Sequence, residues 1–97
     1  MYAMVTQRKR NEAKRQETSQ QAEREFFPKL RRAPGFVTMY LIEEGTETLA
    51  VVIWESKAQA DAFRKEGEGW SQTLTEHGHQ PLRSGGGEVV THVTPQT

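Results

Sequence analysis

Phe36-Val-Thr-Met-Tyr-Leu-Ile42 and Leu49-Ala-Val-Val-Ile-Trp54 are the two dense apolar runs of this sequence, with Glu43-Glu-Gly-Thr-Glu-Thr48 between them. Two β-rich runs joined by a short polar loop that carries a glycine read as a β-hairpin, strand 2 over 36–42 and strand 3 over 48–55. Side chains alternate across a strand, so Leu49, Val51 and Ile53 point one way and Ala50, Val52 and Trp54 the other. On strand 2 the same rule opposes Val37, Met39 and Leu41 to Phe36, Tyr40 and Ile42. Both faces of the hairpin are therefore apolar.

Outward from the hairpin the chain is mostly polar. Residues 2–8 have the alternation of a first strand. Residues 11–33 are rich in good helix formers, with Ala22, Phe26, Leu30 and Ala33 at helical spacing and Phe27 beside them. This helix starts at Asn11, in preference to Thr18, where Thr18-x-x-Gln21 also fits a capping box. Pro28 predicts a kink, and Ala33-Pro34-Gly35 ends the helix. Ser56-x-x-Gln59 is a further capping box, opening a second helix directly after strand 3. Gly67 and Gly69 predict a break in it, with a short helix to follow near 69–77. Residues 78–87 are dense in breakers and read as loop. Glu88-Val-Val-Thr-His-Val-Thr94 then reads as strand 4, and 94–97 as a frayed tail.

The order β-α-β-β-α-β fits an α+β, ferredoxin-like domain spanning 1–97, one antiparallel sheet with both helices on one face. Helices cover only one face, and a solvated back would alternate apolar with polar. A second copy across a two-fold axis is the simplest cover, so a homodimer packed sheet to sheet is expected. The sequence leaves open which hairpin face that would be.

Composition bounds the function. Lys+Arg and Asp+Glu both number 13 in the 97 residues, so the net charge is zero and no nucleic-acid partner is expected. The basic residues at Arg8-Lys9-Arg10, Lys14-Arg15 and Arg31-Arg32 interleave with Glu12, Glu17, Glu23 and Glu25 and read as a solvated helix face. There is no cysteine, which removes disulfides, thiolate metal sites and cysteine nucleophiles. No apolar run approaches the roughly 20 residues of a membrane span, and Met1-Tyr-Ala-Met-Val5 runs directly into charge. No membrane partner and a cytoplasmic location are the expectations.

Pro34-Gly35-Phe36 after a proline-containing helix, two strands ending in Trp54-Glu55-Ser56, and an alanine-rich helix resemble the antibiotic biosynthesis monooxygenase superfamily. The resemblance spans most of 2–93. It implies a dimeric α+β barrel with a pocket between sheet and helices in each protomer, binding an apolar or aromatic small molecule. In some members it implies oxygenation of polycyclic aromatics with no cofactor. The haem-degrading branch uses an asparagine on strand 1 with a tryptophan and a histidine on helix 2. Here strand 1 has no asparagine, and those helix positions fall near Phe63 and Thr73. Trp70 with His77 would replace them only after a register shift, so haem degradation is not expected.

Candidate pocket residues are Tyr40, Trp54, Phe63, Trp70 and Leu74. Each has an ordinary alternative: a buried tryptophan is usually core, and aromatics at helical spacing usually pack. Large aromatics beside helix-breaking glycines can also line a cavity. His77 is the candidate general base, since imidazole titrates near neutrality, although the sequence shows no group to orient it. His77, His79 and His92 lack a carboxylate at metal-site spacing, so no metal is expected. Gly67-Glu-Gly69 follows a helix and lacks the third glycine of a dinucleotide site, Ser84-Gly-Gly-Gly87 lacks a P-loop lysine, and Glu43-Glu44 sit in a hairpin loop. Gly35-Phe36-Val-Thr-Met-Tyr40 loosely resembles an RNA-recognition motif, but on the second strand instead of the third.

Overall fold

Tyr2–Lys9 (β1), Phe36–Glu44 (β2), Glu47–Trp54 (β3) and Gln80–Glu88 (β4) form one antiparallel sheet of order β2-β3-β1-β4. This computed structural model describes residues 1–96, so Thr97 of the expected tail lies outside the described residues. The hairpin closes through Gly45-Thr46, with Glu44 opposite Glu47. Gly45 has φ +56°, as the first central residue of a type II′ turn requires, and this turn matches the twist of the flanking strands. Arg10 braces the turn. Its guanidinium donates to the Glu47 carbonyl at 2.5 Å, to Thr48 Oγ1 at 3.0 Å and to the Gly45 carbonyl, while Glu12 and Glu43 flank its Nε. The expected solvated helix face is thereby corrected at its start: Arg8 and Lys9 belong to β1, and Arg10 is largely buried against the hairpin.

The first helical segment opens where Asn11 accepts the Ala13 N–H at 3.3 Å. A 3₁₀ turn (Glu12–Lys14) leads into α1 (Arg15–Gln21), a π segment (Ala22–Phe26) and α2 (Phe27–Arg32). The irregularity lies just before Pro28, which occupies the first turn of α2, where a missing N–H is tolerated. Ser56 caps α3 (Lys57–Ala62) by accepting from the Gln59 N–H at 3.2 Å. The expected break at Gly67 and Gly69 is absent. The chain breaks at Phe63 instead, and α4 (Arg64–Glu76) runs through both glycines. Each glycine costs a helix interior roughly 1 kcal/mol. Phe63 and Trp70, two turns apart, both pack on Phe26 and hold α4 on either side of them.

Strand 4 is the largest correction. The expected loop 78–87 supplies most of β4, and of the expected strand 88–94 only Glu88 belongs to it, continued by the Val89 N–H on the Met1 carbonyl at 2.8 Å. Ser84-Gly-Gly-Gly87 pairs with Ala3–Thr6 on β1, and at Gly86 the pairing leaves no room for a side chain. A Cβ on Gly86 would fall 2.5 Å from the Tyr2 hydroxyl and 2.8 Å from Met4 Sδ. Low β-propensity is overridden by fit. Strand 4 is also an edge, where Pro81 is tolerated.

Leu30 from α2, Trp54 from β3 and Ala60 from α3 are buried together, with Tyr2, Phe26, Phe36, Met39, Val52 and Phe63 packed around them. The helices therefore lie on one face of the sheet. A bulge between Phe36 and Thr38 puts Phe36 on the same face as Met39, which corrects the simple alternation expected for strand 2. The opposite face carries Val5, Tyr40, Ile42, Leu49, Val51 and Ile53, aligned by Val5 opposite Val51 and Val51 opposite Tyr40. Among the described residues, no helix is long and apolar enough to cross a membrane.

Candidate functional site

The space where an aromatic pocket was expected is filled by its own rings. Trp54 packs edge-on to Phe36 at 5.9 Å and against Phe63 at 5.3 Å. Phe26 continues the series, 6.0 Å from Phe63 and stacked on Trp70 at 5.2 Å with 7° between the planes. Trp54, Phe63 and Trp70 are thus brought together as packing, with Leu74 half-buried one turn further along α4. Tyr40 is not among them. It lies on the opposite face of the sheet, 58 % exposed, because the bulge at Phe36–Thr38 sets the parity of everything after it on β2.

Open space exists instead along α4. A groove of about 310 Å³ runs between that helix and the β1–β4 edge, lined among others by Thr6, Arg8, Ser71, Thr75, Leu82 and Ser84. None of the five expected pocket residues lines it, and no Asp, Glu, His, Lys or Tyr does. Register explains its character. Thr6 and Ser84 face each other across the β1–β4 ladder, on the side that carries Tyr2 and Met4. Between Gln7 and Arg8 the ladder shifts, leaving Leu82 as the extra residue of a bulge.

Arg8 organises this end of the molecule. Its Nη1 donates to Thr75 Oγ1 at 3.1 Å and to the His79 carbonyl at 2.7 Å, and its Nη2 donates to Ser71 Oγ at 2.6 Å and the Ser71 carbonyl at 3.2 Å. All four acceptors are neutral. The ion pairs among the described residues use Arg10, Lys14, Arg15, Lys57 and Arg64, so the Arg8 charge has no carboxylate partner. Burial pushes its pKa below the ordinary guanidinium value. Sequence reasoning missed this residue by grouping it with its basic neighbours. Its parity with Tyr2, Met4 and Thr6 was the available signal.

His77, the candidate base, sits at the C-terminal end of α4 outside the groove, and the structure supplies the partner that the sequence did not reveal. Thr18 Oγ1 lies 2.7 Å from His77 Nδ1 and 2.8 Å from His79 Nε2. The Asn11 backbone N–H donates to His79 Nδ1 at 3.0 Å, so in neutral His79 the proton must be on Nε2. That N–H donates to Thr18, whose own hydroxyl proton then goes to His77 Nδ1. The Nε2 of neutral His77 is therefore a donor in this arrangement, and accepting a proton there requires His77 to carry its proton on Nδ1 and donate it to Thr18 Oγ1 instead. Among the described residues no group of three His, Cys, Asp or Glu side chains is placed to hold a metal ion.

His79 is only 5 % exposed. Desolvation first, then the nearby His77, Arg8 and Arg10 charges, hold its pKa below the ordinary 6.5 despite an opposing pull from Glu12. As pH falls through about 6.5, the unfolded chain therefore takes up a proton that the folded chain refuses, and stability falls. Urea denaturation at pH 7.5 and 5.5 is expected to show this loss, and His79→Gln is expected to show a smaller one. Equal losses in the two proteins would remove His79 as the cause.

No family model matches the chain, and no curated relative does. Solved structures do. A putative antibiotic biosynthesis monooxygenase from Nitrosomonas europaea superposes with TM-score 0.71 at 13 % identity, covering 94 % of this chain and 100 % of that one. The monooxygenase from the gene ActVA-Orf6 of Streptomyces coelicolor, solved in complex with nanaomycin D, superposes with TM-score 0.71 at 18 % identity, covering 98 % and 91 %. SnoaB, a cofactor-independent oxygenase from Streptomyces nogalater, gives TM-score 0.63 at 17 % identity, covering 98 % and 97 %. The chain has the ferredoxin-like α+β fold of these proteins.

Proposed function

We propose that this chain is a cytoplasmic, homodimeric member of the antibiotic biosynthesis monooxygenase superfamily, binding a small aromatic molecule in the groove between α4 and the sheet. The observation that carries the reading is the groove's place, on the helix-covered side of a β2-β3-β1-β4 sheet. Its fold is shared with a monooxygenase solved with nanaomycin D and with a cofactor-independent oxygenase. A volume of about 310 Å³ is at the lower end for small-molecule sites and suits a compact ligand. The cysteine-free composition agrees with a reducing compartment.

The activity that follows is oxygenation in which the substrate supplies the electrons as its carbanion or phenolate. For an anthrone, the CH₂ carbon loses two hydrogens and gains one oxygen atom from O₂ as a carbonyl, and the second oxygen leaves as water. The protein's part in this is orientation, exclusion of water and stabilisation of the anion. Oxygen-electrode measurements with an anthrone-type substrate are expected to give uptake above the protein-free rate, one O₂ per substrate. The lining contains no acid–base side chain, which favours a second reading as a ligand-binding member without catalysis. No oxygen uptake across a panel of phenols and anthrones, with ligand binding retained, selects that reading. Haem titration is expected to leave the Soret band unshifted, and a shift would return the haem-degrading branch to consideration.

A further inference from the structure

The groove between α4 and the β1–β4 edge is lined by two arginines that have no ion-pair partner among the described residues, Arg8 and Arg83, and this points to the class of molecule it takes. Arg8 has all four Nη hydrogens directed at neutral acceptors on α4 and at the His79 carbonyl. Its fork is thereby fixed in place, while its charge and its Nε–H remain uncommitted. Ser71 Oγ accepts from Arg8 and keeps its own proton to donate. Thr6 and Ser84, opposite each other on the helix-facing side, add two further hydroxyls to the lining. The bulged Leu82 and Pro81 supply an apolar wall. A half-buried charge without a partner is costly, and an anion in the groove would remove that cost.

We infer that the groove binds a small aromatic carboxylate, with the carboxylate against Arg8 and the hydroxyls of Ser71, Thr6 and Ser84 and the ring against Leu82. This rests on the small-molecule reading above and narrows it. A carboxylate is the chosen anion because it is already ionised at neutral pH, whereas a simple phenol titrates near 10. The cation is fixed before the ligand arrives, so little ordering is needed on binding.

The probes are 2-naphthoate and 2-naphthamide, which have similar shape and differ in charge, titrated calorimetrically into the full chain at pH 7.5. The carboxylate is expected to bind about tenfold tighter or better, as a charge-assisted contact implies. Arg8→Gln is expected to cut the ratio of the two affinities by at least about threefold, Arg83 being the remaining cation of the lining. Because Arg8 also tethers α4, Arg8→Lys serves as the second variant: it retains the charge and is expected to retain most of the preference. Equal wild-type affinities for the two probes overturn the carboxylate assignment and leave the small-molecule reading standing. Binding of neither probe to the folded wild-type protein overturns both. A preference undiminished in Arg8→Gln overturns the role of Arg8.

Discussion

Trp54→Ala is expected to destabilise the protein by about 3–5 kcal/mol, the range for truncating a large buried aromatic. A small domain has roughly 5–15 kcal/mol of net stability, so the variant would be near or past its folding limit. Trp54 is 3 % exposed at the end of β3, where Leu30 of α2 and Ala60 of α3 meet the sheet. Its ring contacts Phe36 and Phe63, so truncation opens a cavity bordered by β3, α2, α3 and the Phe63 break. Among the described residues buried hydrophobics are few, Ala22, Leu30 and Ala60 being the others, so little can move in to fill the space. Trp70→Ala is expected to cost less, because Trp70 is only half-buried on Phe26. Urea denaturation with circular dichroism would measure both. A loss below about 1 kcal/mol at Trp54 would mean that its ring borders open space instead of filling a core.

The hairpin was legible because each of its two runs is long, apolar and β-rich, and because Gly45 lies where a tight turn needs it. The helix ends at Asn11 and Ser56 were legible for an equally local reason, a side-chain acceptor positioned over the first turn. Strand 4 was not. Gly85, Gly86 and Gly87 have the composition of a loop, and only the Tyr2 and Met4 side chains across the ladder make glycine fit at position 86. Val89 and Val90 are apolar and β-branched and suggest a strand by propensity, yet nothing among the described residues pairs with Val90, which is 91 % exposed. The site failed for a similar reason. Tyr40, a candidate pocket residue, follows a one-residue bulge that has no signature in the sequence and that sets it on the face opposite Trp54. Arg8 was hidden in a basic cluster whose members have separate structural roles: Arg10 braces the hairpin, and Arg8 ties β1 to α4. The Thr18 contact to two histidines some 60 residues away has no local signature at all.

Val51→Glu is expected to convert a dimer into a folded monomer. The helix-free face of the sheet has Val51 at its centre, beside Val5 on β1 and Tyr40 on β2. Ile42 at 47 % exposure and Tyr40 at 58 % extend the apolar surface along β2. The area of the whole chain points the same way. Its 6950 Å² compares with about 5,700 Å² for a compact monomer of this mass. Its radius of gyration is 13.9 Å, against about 12.5 Å for a compact chain of this length. Part of the excess belongs to the segment after β4, where Val90 and Val93 are exposed. A standard interface takes roughly 800 Å² from each partner, so the sheet face has enough surface for one. Packed sheet to sheet, the introduced carboxylate would be buried with only valine and tyrosine beside it, a loss of several kcal/mol per interface. In the monomer the same carboxylate faces water, so the fold survives. Light scattering at micromolar concentration should give twice the chain mass for the wild type and the single mass for the variant, with matching circular dichroism. A wild type at the single mass, or a variant that remains dimeric, would place the contact elsewhere or remove it.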